Sequence, residues 1–241
     1  MNQIISNNLN PHVSVDCVIF GFDGEQLKLL IIERKPKDAV SALPGDLIKD
    51  NENLDEAACR VLYELTGLKD IYLKQLQAFG DPDRIKDLAD VRWLRDVREE
   101  PLTRVITIAY YSLVNLAELA PRPASFAKEV RWELVKKVGK LGFDHNYIVD
   151  KALEQLRLNL KYDPLIGFEL LPEKFTLRQL QKLYEAVLDQ PIDKRNFRKK
   201  FLTAKIVVSL DEKEQNVPHK PAQYYRFDRK RYMRIKDRFW F

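Results

Sequence analysis

The chain predicts an α/β protein in two parts: a sandwich of helix, sheet and helix built on a mixed sheet, followed by a C-terminal winged helix-turn-helix domain. Three observations carry this expectation. β-branched runs surround one amphipathic helix between residues 13 and 135, without the regular alternation of a βαβ array. From Phe175 the grammar changes to two short helices and a ribbon. Charge divides at the same place: from Leu171 to Phe241 there are 18 Lys and Arg against 9 Asp and Glu, a net +9, while the preceding residues hold 23 against 27, a net −4, together the +5 of the whole chain. Such asymmetry points to a nucleic-acid-facing module joined to a domain that is not one.

The length of 241 residues suits two domains, taken here as 1–162 and 163–241, and 45% hydrophobic content is enough to build both cores. No run approaches the roughly 18 apolar residues of a membrane span. The start MNQIISNNLN has neither a basic segment nor an apolar h-region, so a cytoplasmic protein with no membrane partner is expected. Cys17 and Cys59 lie in apolar surroundings, which suits buried reduced thiols better than a disulfide or metal site.

The elements follow in order. VSVDCVIFG (13–21) and LKLLIIE (27–33) read as strands joined at Asp23-Gly24, a strong hairpin signal. Residues 54–66 have helical spacing, with Leu54, Ala57, Ala58, Val61, Leu62 and Leu65 as the apolar stripe and Asn53 with Glu56 as a capping box. Strand-like runs return at 71–79, 104–114 and 129–135. Residues 81–103 are too polar for a strand, yet Leu, Val and Trp93 allow a short amphipathic helix in what reads as an insertion. After Gly142 helical spacing resumes, with Asp144 placed as its cap. Thr176 then caps a helix with Leu177, Leu180, Leu183, Tyr184 and Val187 inward, and Asp193 caps a second, KRNFRKKFLTA, with Phe197, Phe201 and Leu202 inward. KIVVSL and QYYRFD supply the wing.

Residues 45–68, GDLIKDNENLDEAACRVLYELTGL, resemble a Nudix box, G-x5-E-x7-R-E-U-x-E-E-x-G-U with U apolar, which puts three carboxylates on one side of a helix to hold Mg²⁺ against a pyrophosphate. Glu52, Arg60, Glu64 and Thr66-Gly67-Leu68 keep the frame. Asp46 stands for the opening glycine, with Gly45 before it, and Val61 and Leu65 replace two metal-face glutamates. Mg²⁺ wants near-octahedral oxygen ligation, so Glu64 is a poor site alone, even with Glu52. A lost hydrolase is expected, with no catalytic residues, no metal and no cofactor.

The joint pattern resembles the Nudix-related transcriptional regulators, which fuse a Nudix sensor to a C-terminal winged helix. The matching pieces are IIERKP (31–36), ALPG (42–45), the box, LKQLQAFGDPDR (73–84), RVITIAYYSLV (104–114), GFDH (142–145) and residues 168–202. Two departures lie near the expected cleft: Ser41 where many Nudix proteins have tryptophan, and the long segment after Arg84. The resemblance implies a homodimer reading a palindromic operator in double-stranded DNA, and a small-molecule effector. Some members sense ADP-ribose and others regulate pentose use. Loss of the tryptophan and most of the metal face weakens a pyrophosphate ligand, so the arabinose-responsive repressor branch is chosen. A pentose such as L-arabinose is placed against Arg34, Asp46, Glu64, Asp81 and Thr107, though each could equally be a strand-surface or turn residue, Asp81 above all.

For DNA, Arg195 and Asn196 are expected to read bases and Lys199 and Lys200 to hold phosphates, with Lys194 and Arg198 on the flanks and Lys205, Lys220 and Arg226 in the wing. The tail RFDRKRYMRIKDRFWF is left open between DNA contact and packing of Phe239, Trp240 and Phe241. Two other classes stay in view: a hydrolase of a nucleotide sugar with Glu52 and Glu64 on one metal, and a silent Nudix scaffold whose basic module takes RNA or a protein partner.

Overall fold

The computed structural model describes residues 9–34, 40–116, 121–123, 125, 127–163, 165–168, 170–218 and 220–236. The expected packing of Phe239, Trp240 and Phe241 lies outside them. Two compact units divide the chain, one formed by the residues up to Gly21 with Lys28–Ala152, the other by Phe22–Leu27 with the residues from Leu153 onward.

The first unit is a mixed six-stranded sheet with helices. Its order is β4 (Lys74–Phe79), β5 (Ile106–Asn115), β1 (Leu9–Phe22), β2 (Leu27–Arg34) and β6 (Ala127–Leu134), with β3 (Gly45–Lys49) also paired to β1. The β1–β2 turn forms where Asp23-Gly24 placed it: Gly24 takes a φ of 98°, and the Asp23 carboxylate accepts from the Glu25 and Gln26 amides. Helix α1 (Leu54–Thr66) carries the expected capping box, with Asn53 and Glu56 exchanging bonds of 2.9 Å, and ends on Gly67 in the left-handed region. Ala57, Ala58, Val61, Leu62 and Leu65 pack with Val15, Cys17, Ile19, Leu30 and Ile32 of the sheet. Each fully buried aliphatic side chain there contributes roughly 1.5–3 kcal/mol.

Cys17 is buried, and burial pushes its thiol up. Cys59 is exposed instead of buried, because it falls between the inward positions 58 and 61 of α1 and points the other way. The segment after Arg84 does form a helix, α2 (Leu88–Val97), capped by Asp87. Helix α3 (His145–Tyr162) begins where expected, directly after Asp144, whose carbonyl accepts from the Ile148 amide at 3.1 Å and whose carboxylate takes two bonds from Arg84.

In the second unit α4 (Leu165–Phe168) and α5 (Leu177–Leu188) precede α6 (Lys194–Ala204), with a three-stranded sheet in the order β7 (Phe175–Thr176), β9 (Gln223–Phe227), β8 (Val207–Lys213) and a last helix, α7 (Arg229–Ile235). Thr176 and Gln179 form a second capping box, and Leu177, Leu180, Leu183, Tyr184 and Val187 are all buried. An aromatic core holds this unit: Phe201 lies 4.7 Å from Phe197, 5.7 Å from Tyr184 and 5.9 Å from Phe168, ring centre to ring centre. No helix among the described residues is long and apolar enough to cross a membrane.

Candidate functional site

The box helix shows where its metal face went. Val61 and Leu65 are 0% and 1% exposed, so the positions that would carry two carboxylates belong to the core. Arg60 takes both remaining acids. Its Nη2 and Nε donate to the two Glu52 oxygens at 2.6 and 2.8 Å, and its Nη1 donates to Glu64 at 2.8 Å. Glu52 also accepts from the Lys49 amide at 2.7 Å, and the Arg60 guanidinium holds its carboxyl below the usual range. Mg²⁺ bound here would have to displace that guanidinium before gaining either oxygen pair. Among the described residues no group of three His, Cys, Asp or Glu side chains is arranged to hold a metal.

A different polar cluster lines the cleft. Asp16, inside the apolar strand β1, accepts from Thr107 at 2.8 Å, lies 3.6 Å from the Arg84 guanidinium and 3.6 Å from His145 Nε2. Ser14 hydrogen-bonds Thr107 from the same strand. Arg84 reaches Asp144 through two bonds of 3.1 and 2.7 Å. Gly45 is needed beside this cluster: a Cβ there would fall 1.8 Å from Asp16 Oδ1. The box therefore keeps a glycine one residue early because the Asp16 carboxylate occupies the space a side chain would need.

Arg34, at the end of β2, is 1% exposed. Its Nη2 pairs with Asp90 at 2.6 Å, its Nε donates to the Val40 carbonyl at 2.8 Å, and its guanidinium lies 4.6 and 5.0 Å from the ring centres of Trp93 and Phe143. Asp90 in turn accepts from the Phe143 amide at 2.7 Å. Asp90 and Trp93 both come from α2, so the segment read as an insertion supplies the counter-charge and one aromatic face of the cleft. Gly142 permits this closure, since a Cβ there would sit 2.7 Å from Arg34 Nη2.

Asp16, Arg34, Arg84, Trp93, Phe143 and His145, with Asp46 and Arg98, line a cavity of about 40 Å³, room for roughly three waters. Burial pushes the Asp46 carboxyl up and lowers the Arg98 guanidinium, with nearby Asp46 and Asp16 opposing the latter. An open groove of about 770 Å³ shares Arg84 and Phe143 with that cavity and adds Phe79, Lys140 and Tyr147, a size that suits a nucleotide-sized ligand.

Of the expected ligand residues, Arg34 and Asp46 line the enclosed cavity, and Thr107 holds Asp16 from behind. Asp81 borders the groove, and its carboxylate and carbonyl accept from the Asp83 and Arg84 amides at 2.8 and 3.1 Å, so it shapes the turn. Glu64 lies outside both spaces, beside Arg60. Sequence reading missed Asp16, Arg84, Asp90, Trp93, Arg98, Phe143 and His145. The one local signal was Asp16, a lone charge in VSVDCVIFG.

His145 is fully buried, and its Nδ1 accepts the Leu43 amide at 3.0 Å. Desolvation lowers its pKa below the ordinary 6.5, with Asp16 and Asp144 opposing and Arg84 and Arg34 assisting. The unfolded chain takes up this proton before the folded one does, so the stability His145 contributes is complete above 6.5 and is lost as pH falls below it. Thermal midpoints from pH 7.5 to about 5 should fall more steeply for the native chain than for His145→Gln; parallel slopes would exclude His145 as the group responsible.

In the second unit α6 follows the Asp193 cap, which accepts from the Asn196 amide at 2.7 Å. Phe197 and Phe201 turn inward, while Lys194, Arg195, Asn196 and Lys199 are exposed. Arg198 and Lys200 are half-buried on the flanks. Leu202, expected inward, is 43% exposed. It stands seven residues from Arg195 and three from Lys199, which puts it on the outer face with them. Lys205 is not in the wing; with φ 55° it caps the C-terminus of α6. Lys220 lies in the loop between β8 and β9, and Arg226 is exposed on β9 opposite Val208, as wing residues should be.

Residues 10–149 match the model of the NUDIX domain, more than half of the chain. The protein belongs to the Nudix family. Residues 167–227 of this Nudix protein match the NrtR DNA-binding winged helix domain. It is 29% identical, over 90% of its length and 82% of the relative's, to the ADPR responsive transcriptional repressor NtrR of Acinetobacter baylyi. It is 31% identical, over 58% of its length and 72% of the relative's, to an ADP-ribose pyrophosphatase of Methanocaldococcus jannaschii. Among solved structures, NrtR of Shewanella oneidensis complexed with a 27mer DNA superposes with a TM-score of 0.65 at 26% identity, covering 95% of this chain and 97% of that one. The arabinose-responsive branch expected from the sequence gains no support from these relatives.

Proposed function

We propose that this Nudix protein is a transcriptional repressor in which residues 163–241 bind a palindromic duplex operator and residues 1–162 form a catalytically silent sensor for ADP-ribose or a closely related nucleotide. The observation that carries this reading is the order of the two domains on one chain, shared over nearly its whole length with an ADP-ribose-responsive repressor. The cleft supports it: a groove of nucleotide size shares Arg84 and Phe143 with a polar cavity edged by Arg84, Arg98 and Arg34. Buried Val61 and Leu65, with Glu52 and Glu64 both held by Arg60, favour sensing over hydrolysis. The protein acts as a cytoplasmic homodimer, whose two copies of α6 read half-sites about one DNA turn apart.

Fluorescence anisotropy on duplex from the promoter beside its own gene tests this directly. Tight, salt-sensitive, sequence-selective binding that ADP-ribose releases and L-arabinose does not is the expected result. Binding no better than to random duplex would remove the regulator, and Mg²⁺-dependent turnover of ADP-ribose that vanishes on Glu64→Gln would restore the hydrolase. In the same assay Arg195→Ala should lower operator affinity roughly 5- to 150-fold with little change on random duplex, whereas Lys199→Ala should weaken both alike. Equal losses on both duplexes for Arg195→Ala would refute a base contact there.

A further inference from the structure

Helix α7 lies beyond residues 167–227, the segment that matches the winged-helix model, and nothing in the DNA-binding reading so far uses it. It is firmly attached. Tyr232 is 1% exposed, donates its hydroxyl to Asp163 at 2.8 Å and packs its ring 5.7 Å from that of Phe227. The Asp228 amide donates to the Ile206 carbonyl at 2.8 Å, and the Asp228 carboxylate caps the helix on the Arg231 amide at 2.9 Å. Arg231 also donates from Nε to the Ala204 carbonyl at 3.3 Å, which fixes α7 against the C-terminal end of α6.

Cations stand around this short helix: Arg229 and Lys236, three and four residues from Tyr232, flank its attached side, while Lys230 and Arg234 face away from it. Arg229, Lys230, Arg231, Arg234 and Lys236 are all exposed, and none makes an ion pair among the described residues. The wing beside it carries Asp211, Glu212 and Glu214 near its tip, with Lys174 drawn to Glu212, so the wing is a weaker source of positive charge than the helix that follows it. A buried tyrosine anchor with five exposed cations around it, none of them ion-paired among the described residues, is a cationic platform held at the end of α6. A solvated surface would gain nothing from such clustering, because five like charges repel one another; a phosphate backbone relieves that repulsion.

We propose that α7 is a second DNA-contacting element, which clamps the backbone of duplex flanking the bases under α6 and contributes affinity without sequence selectivity. This rests on the proposed DNA-binding function but makes a separate claim. Each neutralised phosphate releases condensed counterion, so log K should fall against log salt by about 0.9 per contact.

The test is the salt dependence of duplex affinity for the full chain and for Arg229→Gln/Lys230→Gln/Arg234→Gln/Lys236→Gln, which leaves Tyr232 and Arg231 in place. The variant should keep its thermal midpoint, lose at least roughly tenfold in affinity near 0.1 M salt by the same factor on promoter and random duplex, and show a slope shallower by about 2–4. A variant with Arg229→Lys and Arg234→Lys should keep the native slope. An unchanged slope in the folded quadruple variant overturns the clamp while leaving the regulator intact. A native chain that fails to bind any duplex overturns both. A loss confined to the promoter duplex would assign α7 to base reading and overturn the backbone role.

Discussion

Arg34→Met will destabilise the Nudix unit by about 3–5 kcal/mol, the cost of stranding a buried charge. Asp90 is 3% exposed and has Arg34 as its ion partner at 2.6 Å, with the Phe143 amide on its other oxygen. Removing the guanidinium leaves that carboxylate in a place where its ionised form is poorly solvated, and it empties the slot between Trp93 and Phe143. For a unit of this size the midpoint should drop by roughly 10 °C. The double variant Arg34→Met/Asp90→Leu should melt above either single variant, because a matched apolar pair carries no stranded charge. A single variant melting within a degree or two of the native chain would show that the pair is not structural. ADP-ribose release of DNA should weaken in both variants even where the fold persists, since Arg34 lines the enclosed cavity.

The second large effect is expected at Phe201→Ala. Phe201 is 0% exposed and touches the rings of Phe197, Tyr184 and Phe168, so truncation removes the side chain on which α6 is seated. The cost is about 3–5 kcal/mol. Duplex binding should disappear at 37 °C, while ADP-ribose still raises the melting point of the Nudix unit by mass action. Retention of native DNA affinity would mean that α6 is not held by this aromatic cluster, and loss of both activities would mean that the two units do not fold independently.

Much of this architecture was legible before any coordinates. The capping box at Asn53-Glu56, the Thr176 cap, the turn at Asp23-Gly24, and the stripes of α1 and α5 are short-range patterns, and each formed where the residues placed it. Misses came where a residue's role depends on a partner distant in the chain. Asp144 stands before α3 as its spacing placed it, but nothing local announced the charge-assisted bidentate contact it makes with Arg84, 60 residues away. Leu202 was assigned inward by its hydrophobicity, yet Phe197 and Phe201 already fill the inner face of α6. Two short elements, α4 and β7, have too few residues to show any period, and the seven of α7 fell in a tail whose role was left open between DNA contact and packing.

By itself the sequence determined the order of domains, the loss of two metal-face carboxylates and the segregation of charge into the C-terminal third. These are properties of composition and local spacing, which each segment carries wherever it folds. Only the tertiary structure decided the cleft. Asp16, Arg34, Arg84, Asp90, Asp144 and His145 are spread over 130 positions, and each alone is a lone charge with no period to mark it. They become a site because ionisable groups taken out of water must find one another, and the sheet, α2 and the start of α3 bring them within reach.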